Sequence, residues 1–340
     1  MTHRSGGVRT ALALTAALAV LVTAACGSND GSGGSAPPRG AGFPVTIDSA
    51  LGRTEIPAKP QRVVTLGWGS TEAAVALGVI PVGMRDMKSD SGTVDGILPW
   101  VKDKLGEATP ELLSETSRSI PFERIAALKP DVILAVQSGL TPDQYAQLSR
   151  IAPTVAQPGK NWQTSWQDQT TLVGRALGKD TEARKLIDET DRRVADARAA
   201  NPAFAGKTVA FASGTTPDSL NLYFDTDPRV RLLAGLGFTP LPALTPLRES
   251  TPGTFAAPVA WENVPRYNAD VLVAWYLDAT RQAIEANPVF ANLTAVQKKA
   301  YVPLTDPPLV FAVSSPNVLD MPWLLERYVP LLQEAAKNAG

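Results

Sequence analysis

A stretch without strand signals divides this chain into two parts, and no other feature limits its fold as strongly. Over residues 164–200 apolar side chains recur at helical spacing, with a break allowed at Gly178. On both sides of this stretch, short apolar runs that suit buried strands alternate with helical patterns. The predicted strands cover 63–66, 80–83, 132–136, 154–155, 208–211 and 271–275, and the predicted helices cover 71–77, 122–128, 142–151, 229–236, 261–267 and 321–337.

This alternation predicts parallel βαβ units, so we expect an α/β protein with two lobes joined by a helix. A hairpin formed by residues 45–47 and 53–56 precedes the first buried strand. We place the N-terminal lobe at residues 43–162, the bridging helix at 163–201 and the C-terminal lobe at 202–340.

Residues 1–25 have the features of a bacterial lipoprotein signal peptide. Arg4 and Arg9 precede an apolar run over 11–22 that is too short to span a membrane, and small residues lead to Cys26. We expect Cys26 to be diacylated and to become the new N-terminus, with residues 26–42 as a flexible tether. The alternative is an ordinary signal peptide with a cysteine there by chance.

Charge and the absence of reactive side chains exclude several function classes. The chain has 32 Lys and Arg against 33 Asp and Glu, and loss of Arg4 and Arg9 with the signal leaves 30 against 33, which gives no sign of nucleic-acid binding. Cys26 is the only cysteine, so we expect no disulfide in the folded body. The only histidine, His3, is removed with the signal, which excludes His-based catalytic triads and zinc sites.

A short motif occurs once in each predicted lobe. Phe-Glu-Arg-Ile at 122–125 and Trp-Glu-Asn-Val at 261–264 place Glu123 and Glu262 each eight residues before an aspartate that begins a predicted strand. A glutamate in the first turn of a helix interacts favourably with the helix dipole, by about 0.3–1 kcal/mol. Alternatively, two exposed carboxylates at equivalent places in two lobes suit docking onto a partner with two subunits.

Short segments distributed over nearly all of the mature chain are characteristic of one protein family. They are Leu-Gly-Arg at 51–53 with Pro-Gln-Arg-Val-Val at 60–64, Pro-Trp at 99–100 before Lys-Leu-Gly at 104–106, the segments 122–131 and 147–155, and Ser-Ser-Pro at 314–316 with Pro-Trp at 322–323. Together they resemble the periplasmic-binding-protein-like substrate-binding proteins of ABC importers that carry ferric siderophores, haem or cobalamin. Within that family the chain is similar to actinobacterial ferric-siderophore-binding lipoproteins.

This resemblance implies two Rossmann-like lobes bridged by one long rigid helix, with the ligand in the cleft between them. It implies a lipid-anchored, extracytoplasmic binding protein without catalytic activity, expected to be a monomer, that passes a ferric siderophore of hydroxamate type to a membrane ABC permease. Glu123 and Glu262 match the glutamates with which the family docks onto the permease. Iron is expected only as a siderophore chelate, so no further cofactor or resident metal is expected.

A carrier of a ferric chelate needs aromatic walls and arginine donors that recognise the outer surface of the chelate. Loops at the carboxyl ends of strands supply such residues in α/β folds. The candidates are Trp68, Arg85, Tyr223, Arg248, Trp275 and Tyr276. Core positions are expected for Trp100, Trp166 and Trp323, while Trp162 suits either place.

Two alternatives stay open. A haem or cobalamin carrier would have the same fold, and for haem the axial ligand would have to be Tyr223, Tyr276 or Tyr301 in place of histidine. A carboxylate-dependent lipoprotein hydrolase would need two acids in one cleft, and Asp225 and Asp227 form such a pair by sequence.

Overall fold

The computed structural model describes residues 42–116, 119–277 and 279–340. The predicted signal peptide, Cys26 and nearly all of the predicted tether lie outside these residues. Within the described part of the chain, no helix is both long and apolar enough to cross a membrane.

The first lobe is a parallel sheet with helices on both faces, preceded by a hairpin. Its strands are β1 (Val45–Ser49), β2 (Gly52–Ile56), β3 (Val63–Thr65), β4 (Gly83–Arg85), β5 (Glu111–Leu113), β6 (Val132–Ala135) and β7 (Thr154–Ala156). Its helices are α1 (Ser70–Ala76), α2 (Lys88–Ser91), α3 (Pro99–Leu105), α4 (Phe122–Ala127) and α5 (Pro142–Ser149). The antiparallel pair β1 and β2 forms the predicted hairpin, and the sheet has the order β5-β4-β3-β6-β7 with parallel pairing throughout.

Each face of the first sheet packs against a different layer. β6 is buried along its whole length, because its side chains are apolar on both faces, as in parallel sheets covered on both sides. One face packs against the hairpin and α1 through Ile47 and Ala73, and the other packs against α4 and α5 through Ile125 and Leu148. The apolar runs that predicted β3, β6 and β7 therefore form the centre of this lobe.

The strand predicted at residues 80–83 begins three residues later, at Gly83. Ile80 is exposed, and Pro81 has no N–H to donate to a neighbouring strand. At Gly83, where the strand starts, a Cβ atom would press against Cδ1 of Leu128, so a larger residue there would need the leucine side chain to move.

The bridging segment contains two helices in place of the one predicted over 163–201. α6 (Trp166–Ala176) ends in a turn where Gly178 has a φ of 66°, and α7 (Asp180–Ala200) follows. The N–H of Lys179 donates to the carbonyl of Gly174 at 2.7 Å and so closes the end of α6. The break falls at the glycine where the sequence allowed one, because glycine adopts this left-handed backbone without steric cost.

The second lobe is built on a mixed sheet. Its strands are β8 (Thr208–Thr216), β9 (Ser219–Tyr223), β10 (Thr239–Pro240), β11 (Ala256–Ala260), β12 (Val271–Tyr276) and β13 (Tyr301–Leu304). Its helices are α8 (Pro228–Gly235), α9 (Thr245–Ser250), α10 (Arg281–Glu285), α11 (Pro288–Ala291), α12 (Thr294–Gln297), α13 (Pro307–Ser314) and α14 (Met321–Ala339). The sheet order is β11-β9-β8-β12-β13, with β10 also paired to β8.

Two features of the second lobe differ from the sequence prediction. The chain reverses directly after β8 at Pro217 and Asp218, so β9 is antiparallel to β8, and β11 then pairs with β9, also in antiparallel fashion. The predicted helix at 261–267 is a turn followed by a 3₁₀ helix at Val264–Tyr267. An α-helix there would lose a hydrogen bond, since Pro265 has no N–H to donate to the carbonyl of Trp261.

Helix α13 lies between the lobes and is apolar on nearly all sides, as expected for a buried helix. It contacts α2 of the first lobe as well as α8 and α14 of the second. Beside it, the rings of Trp100 in α3 and Trp323 in α14 lie 5.0 Å apart. One hydrophobic core therefore continues from α3 into the second lobe, and the expected core position of Trp100 is confirmed.

Candidate functional site

A cavity of about 300 Å³ lies at the carboxyl ends of β3, β4, β5 and β6, the edge where α/β sheets commonly bind ligands. The residues that line it all belong to the first lobe. They are Trp68, Arg85, Ser89, Asp90, Glu115, Thr116, Ile120, Gly139, Leu140, Gln144 and Trp162. Two of the six predicted ligand-binding residues, Trp68 and Arg85, are thus brought together.

Two indole rings form one side of this cavity. Trp68 follows β3, and its ring centroid lies 5.0 Å from that of Trp162 and 5.2 Å from that of Phe311 in α13. Backbone N–H groups of Trp68 and Trp162 donate to the carbonyls of Gln137 and Ser138, so the loop after β6 holds both indoles. Both indoles therefore belong to the cavity wall, and Trp68 also joins the cavity to the second lobe.

The charged groups of the cavity are already paired with one another. Arg85, at the end of β4, donates from Nε to Asp90 at 2.8 Å, and its Nη1 lies 3.2 Å from Glu115. The second carboxylate oxygen of Glu115 accepts the N–H of Gly67 at 3.0 Å. Burial raises the pKa of Glu115, and the charge of Arg85 opposes that shift.

The described residues contain no group of three or more His, Cys, Asp or Glu side chains placed to hold a metal ion. The side chains that line the cavity are suited to contact the surface of a bound molecule. They offer indole faces, an amide group and charged groups that form hydrogen bonds.

Trp275 and Tyr276 end β12 as predicted and are half-buried, but the structure does not place them in this cavity. The phenol oxygen of Tyr276 lies 2.7 Å from that of Tyr301, which donates to Glu285 of α10 at 2.9 Å. Burial raises the pKa of both phenols. Tyr276 is therefore held on the face of the sheet near α10.

Tyr223 and Arg248 also lie away from the cavity. β9 is an interior strand, so Tyr223 is buried at its end, and the guanidinium carbon of Arg229 lies 4.6 Å from its ring centroid. Arg248 donates to Asp225 at 2.6 Å. Asp227 binds Arg229 at 2.9 Å, so the two acids considered for a hydrolase are each paired with a different arginine.

Several residues that line the cavity are not among the predicted ligand-binding residues. They include Glu115, Asp90, Gly139 and Trp162. Glu115 follows β5, a short strand whose sequence Glu-Leu-Leu gave no strand signal. By sequence, Trp162 suits either place. Its position in the cavity wall depends on the short distance between Gly139 and its indole, which sequence spacing does not reveal.

The sequence repeat corresponds to matching structure in the two lobes. Asp131 begins the approach to β6 and accepts the backbone N–H of Arg62, beside β3, at 2.9 Å. Asp270 does the same before β12, where it accepts the N–H of Thr208 in β8 at 2.8 Å. Hydrogen bonds from Thr208 lower the pKa of Asp270. Each aspartate therefore joins two adjacent parallel strands. The two pairs, β3 with β6 and β8 with β12, occupy equivalent places in their lobes.

Glu123 and Glu262 are both exposed and lie at corresponding edges of the two lobes. Glu123 is in the first turn of α4. This helix begins at the carboxyl-end edge of the first sheet and leads the chain back to the start of β6. Glu262 follows β11, which runs in the same direction as β8 and therefore ends at the carboxyl-end edge of the second sheet. Because Glu262 lies in a turn and not in an α-helix, the helix dipole does not explain the repeat.

Comparison with known proteins agrees with this architecture. Residues 63–307 match the family described as periplasmic binding protein. The chain is 30% identical over 282 residues to YfiY of Bacillus subtilis, a lipoprotein named for siderophore binding, with 81% of each chain covered. It is 26% identical over 316 residues to the iron(3+)-hydroxamate-binding protein FhuD of the same organism, covering 90% of this chain and 92% of FhuD.

Among solved structures, the chain is similar to PiaA of Streptococcus pneumoniae TIGR4 in complex with ferrichrome. The TM-score is 0.79 at 32% sequence identity, and the match covers 87% of this chain and 100% of PiaA. The unmatched part of this chain is little longer than the predicted signal and tether together. In sequence and in fold, the chain belongs to the family of periplasmic binding proteins.

Proposed function

We propose that this protein is the extracytoplasmic substrate-binding component of an ABC importer and that it captures a ferric siderophore of hydroxamate type. The observation that carries the proposal is the cavity of about 300 Å³ with its wall of two indoles and its buried arginine. The siderophore supplies the oxygen ligands of the iron, so the carrier has to recognise only the outer surface of the chelate. The names of YfiY and FhuD and the ferrichrome in PiaA support this choice of ligand.

The ligand wall in this proposal consists of Trp68, Trp162 and Arg85, which meet in the cavity. Trp275 and Tyr276 are candidates for contact from the second lobe, because they end β12 at the corresponding edge of its sheet. The family consists of binding proteins, and we propose that this member likewise transfers its ligand without catalysis.

A fluorescence titration tests the proposal. The full chain is titrated with a ferric tris-hydroxamate, the same siderophore without iron, haem and cobalamin, while tryptophan emission is recorded. We expect saturable quenching by the ferric siderophore. In Trp162→Ala the binding free energy obtained from the titration should be weaker by roughly 1–3 kcal/mol, because aromatic contact area is lost. Trp166→Ala serves as the matched control, since Trp166 is half-buried outside this cavity. Saturation by haem or cobalamin alone would show that the ligand is wrong.

We further propose that the protein acts as a monomer anchored at the outer face of the cell membrane through acylated Cys26. Replacement of Cys26 by Ser removes the proposed acylation site and leaves the folded lobes unchanged, so the variant should be unprocessed or released. Fractionation of cells measures this directly. A wild-type protein that washes off membranes in salt without detergent would contradict the anchor.

A further inference from the structure

We infer that the cavity selects ferric chelates by their charge, accepting neutral or positively charged chelates and rejecting negatively charged ones, with Asp90 and Glu115 as the residues that set this preference. The inference rests on the proposed function, because it takes the ligand to be a ferric chelate. It goes further, since siderophore chelates range from positively charged to strongly negative, and neither the fold nor the indole wall distinguishes among them.

The first step concerns the arginine. Among the described residues that line the cavity, Arg85 is the one cation, and it would attract an anionic chelate if its charge were free. It is not free, because Asp90 at 2.8 Å and Glu115 at 3.2 Å bind it from two directions. Only 8% of the Arg85 side chain is exposed, so water does little to screen these contacts.

The second step concerns the acids. One carboxylate balances Arg85, and the other leaves an excess of negative charge in the described lining. Glu115 cannot turn away from the ligand, because one of its oxygens faces Arg85 and the other accepts the N–H of Gly67. A chelate with several negative charges would therefore be repelled by a fixed carboxylate, and such repulsion is an effective means of rejecting wrong partners.

The remaining lining favours the same ligands. The indole faces of Trp68 and Trp162 attract positive charge through their π electrons and accept neutral apolar surface equally well. Ile120 and Leu140 add apolar surface, which a neutral chelate can cover without losing hydration of charged groups.

The test compares three probes with the full chain at low salt. The probes are a neutral ferric tris-hydroxamate, a ferric tris-hydroxamate that carries one free ammonium group, and a triply negative ferric tris-catecholate. We expect the two hydroxamates to bind at least about tenfold more tightly than the catecholate, a ratio that shrinks in high salt if charge is its cause. This comparison needs no variant and so does not depend on the folding of one.

Variants then identify the residues. Asp90→Asn and Glu115→Gln should each raise the affinity for the catecholate relative to the neutral chelate and lower the affinity for the cationic one. Asp103→Asn, which removes an exposed acid from α3 outside the cavity, should leave the ratios unchanged.

The outcomes separate the two proposals. Equal binding of all three chelates leaves the proposed function standing and overturns charge selection, as does an unchanged ratio in both cavity variants. Failure of every ferric chelate to bind overturns the proposed function, and this inference falls with it.

Discussion

At the scale of single residues, Gly139 determines where the indole of Trp162 lies. A Cβ atom at Gly139 would stand 2.6 Å from Nε1 and 3.0 Å from Cε2 of that indole, which is closer than a side chain allows. The backbone of Gly139 does not have a positive φ, so alanine is compatible with it and only the indole has to move.

We therefore expect Gly139→Ala to weaken ferric-siderophore binding by about 1 kcal/mol, several-fold in Kd, with little change in Tm. Gly159→Ala is the matched control, because a Cβ atom there meets nothing within 4 Å. Titration and thermal unfolding of both variants measure the effect. Equal loss of affinity in the control, or none in Gly139→Ala, would show that the position of Trp162 does not matter.

Glu72 in α1 links pH to stability at the level of one carboxyl group. The side chain is fully buried, and this burial raises its pKa from 4.5 to about 7. The folded protein thus keeps a proton that the unfolded chain releases between these values. Stability should fall as pH rises from about 4.5 to about 7. Above about pH 7, ionisation of Glu72 should cause no further loss of stability.

We expect Glu72→Gln to lose this part of the pH dependence, which corresponds to roughly 3 kcal/mol in the free energy of unfolding. Urea unfolding at about pH 5 and about pH 8 measures the slope, and the comparison with wild type cancels the titrating groups whose pKa values do not depend on Glu72. Glu107→Gln replaces an exposed glutamate and should keep the wild-type slope. An identical slope in Glu72→Gln would mean that Glu72 is ionised throughout.

At the scale of helices and strands, α6 and α7 approach each other closely at Gly174. A Cβ atom at Gly174 would collide with the Cβ atom of Ala183, which has no flexible part that could move aside. Alanine normally stabilises a helix by about 1 kcal/mol relative to glycine. Here the collision should outweigh that gain, because overpacking of a close contact costs about 1–3 kcal/mol.

Gly174→Ala should therefore lower the free energy of unfolding, whereas Thr171→Ala on the exposed face of α6 should leave it unchanged or raise it. Chemical denaturation of the two variants measures the difference. A stabilised Gly174→Ala would mean that the two helices can separate at no cost.

The elements that could be predicted from sequence are those whose residues carry their own signal. β6 is a continuous apolar run, and Gly178 marks the break between α6 and α7 by its backbone freedom. β9 alternates polar and apolar residues over only five positions, and Pro258 interrupts the apolar run of β11, so neither gives a strong strand signal. β4 begins later than predicted, because Ile80 suits a strand by its type but is exposed in the structure.

The same distinction applies to the candidate site. Trp68 and Arg85 could be found because each lies two residues after the end of a predicted strand. Glu115 is held in the cavity by its contacts with Gly67 and Arg85, which are distant in sequence. The position of Tyr276 likewise depends on its hydrogen bond with Tyr301, another residue distant in sequence. Distances between remote loops depend on the packed fold, so no local pattern reports them.

At the scale of the whole molecule, Glu123 and Glu262 are proposed to dock onto the permease. The double variant with Ala at both positions should bind ferric siderophore normally in solution but should take up less of it into cells. Both residues must be changed together, because an exposed charge pair contributes only about 0–1 kcal/mol. Uptake of labelled chelate at equal surface amounts of wild type and variant measures the effect. Undiminished uptake would reject the docking role.

The hydrophobic core that continues from α3 into the second lobe also affects how import responds to the supply of carrier. The lobes cannot move far apart without exposing the contact between Trp100 and Trp323 to water. We therefore expect loaded and empty molecules to present nearly the same outline and to compete for the proposed permease. Import should follow the fraction of carriers that hold a chelate, and an excess of empty carrier should act as a competitive inhibitor of transport.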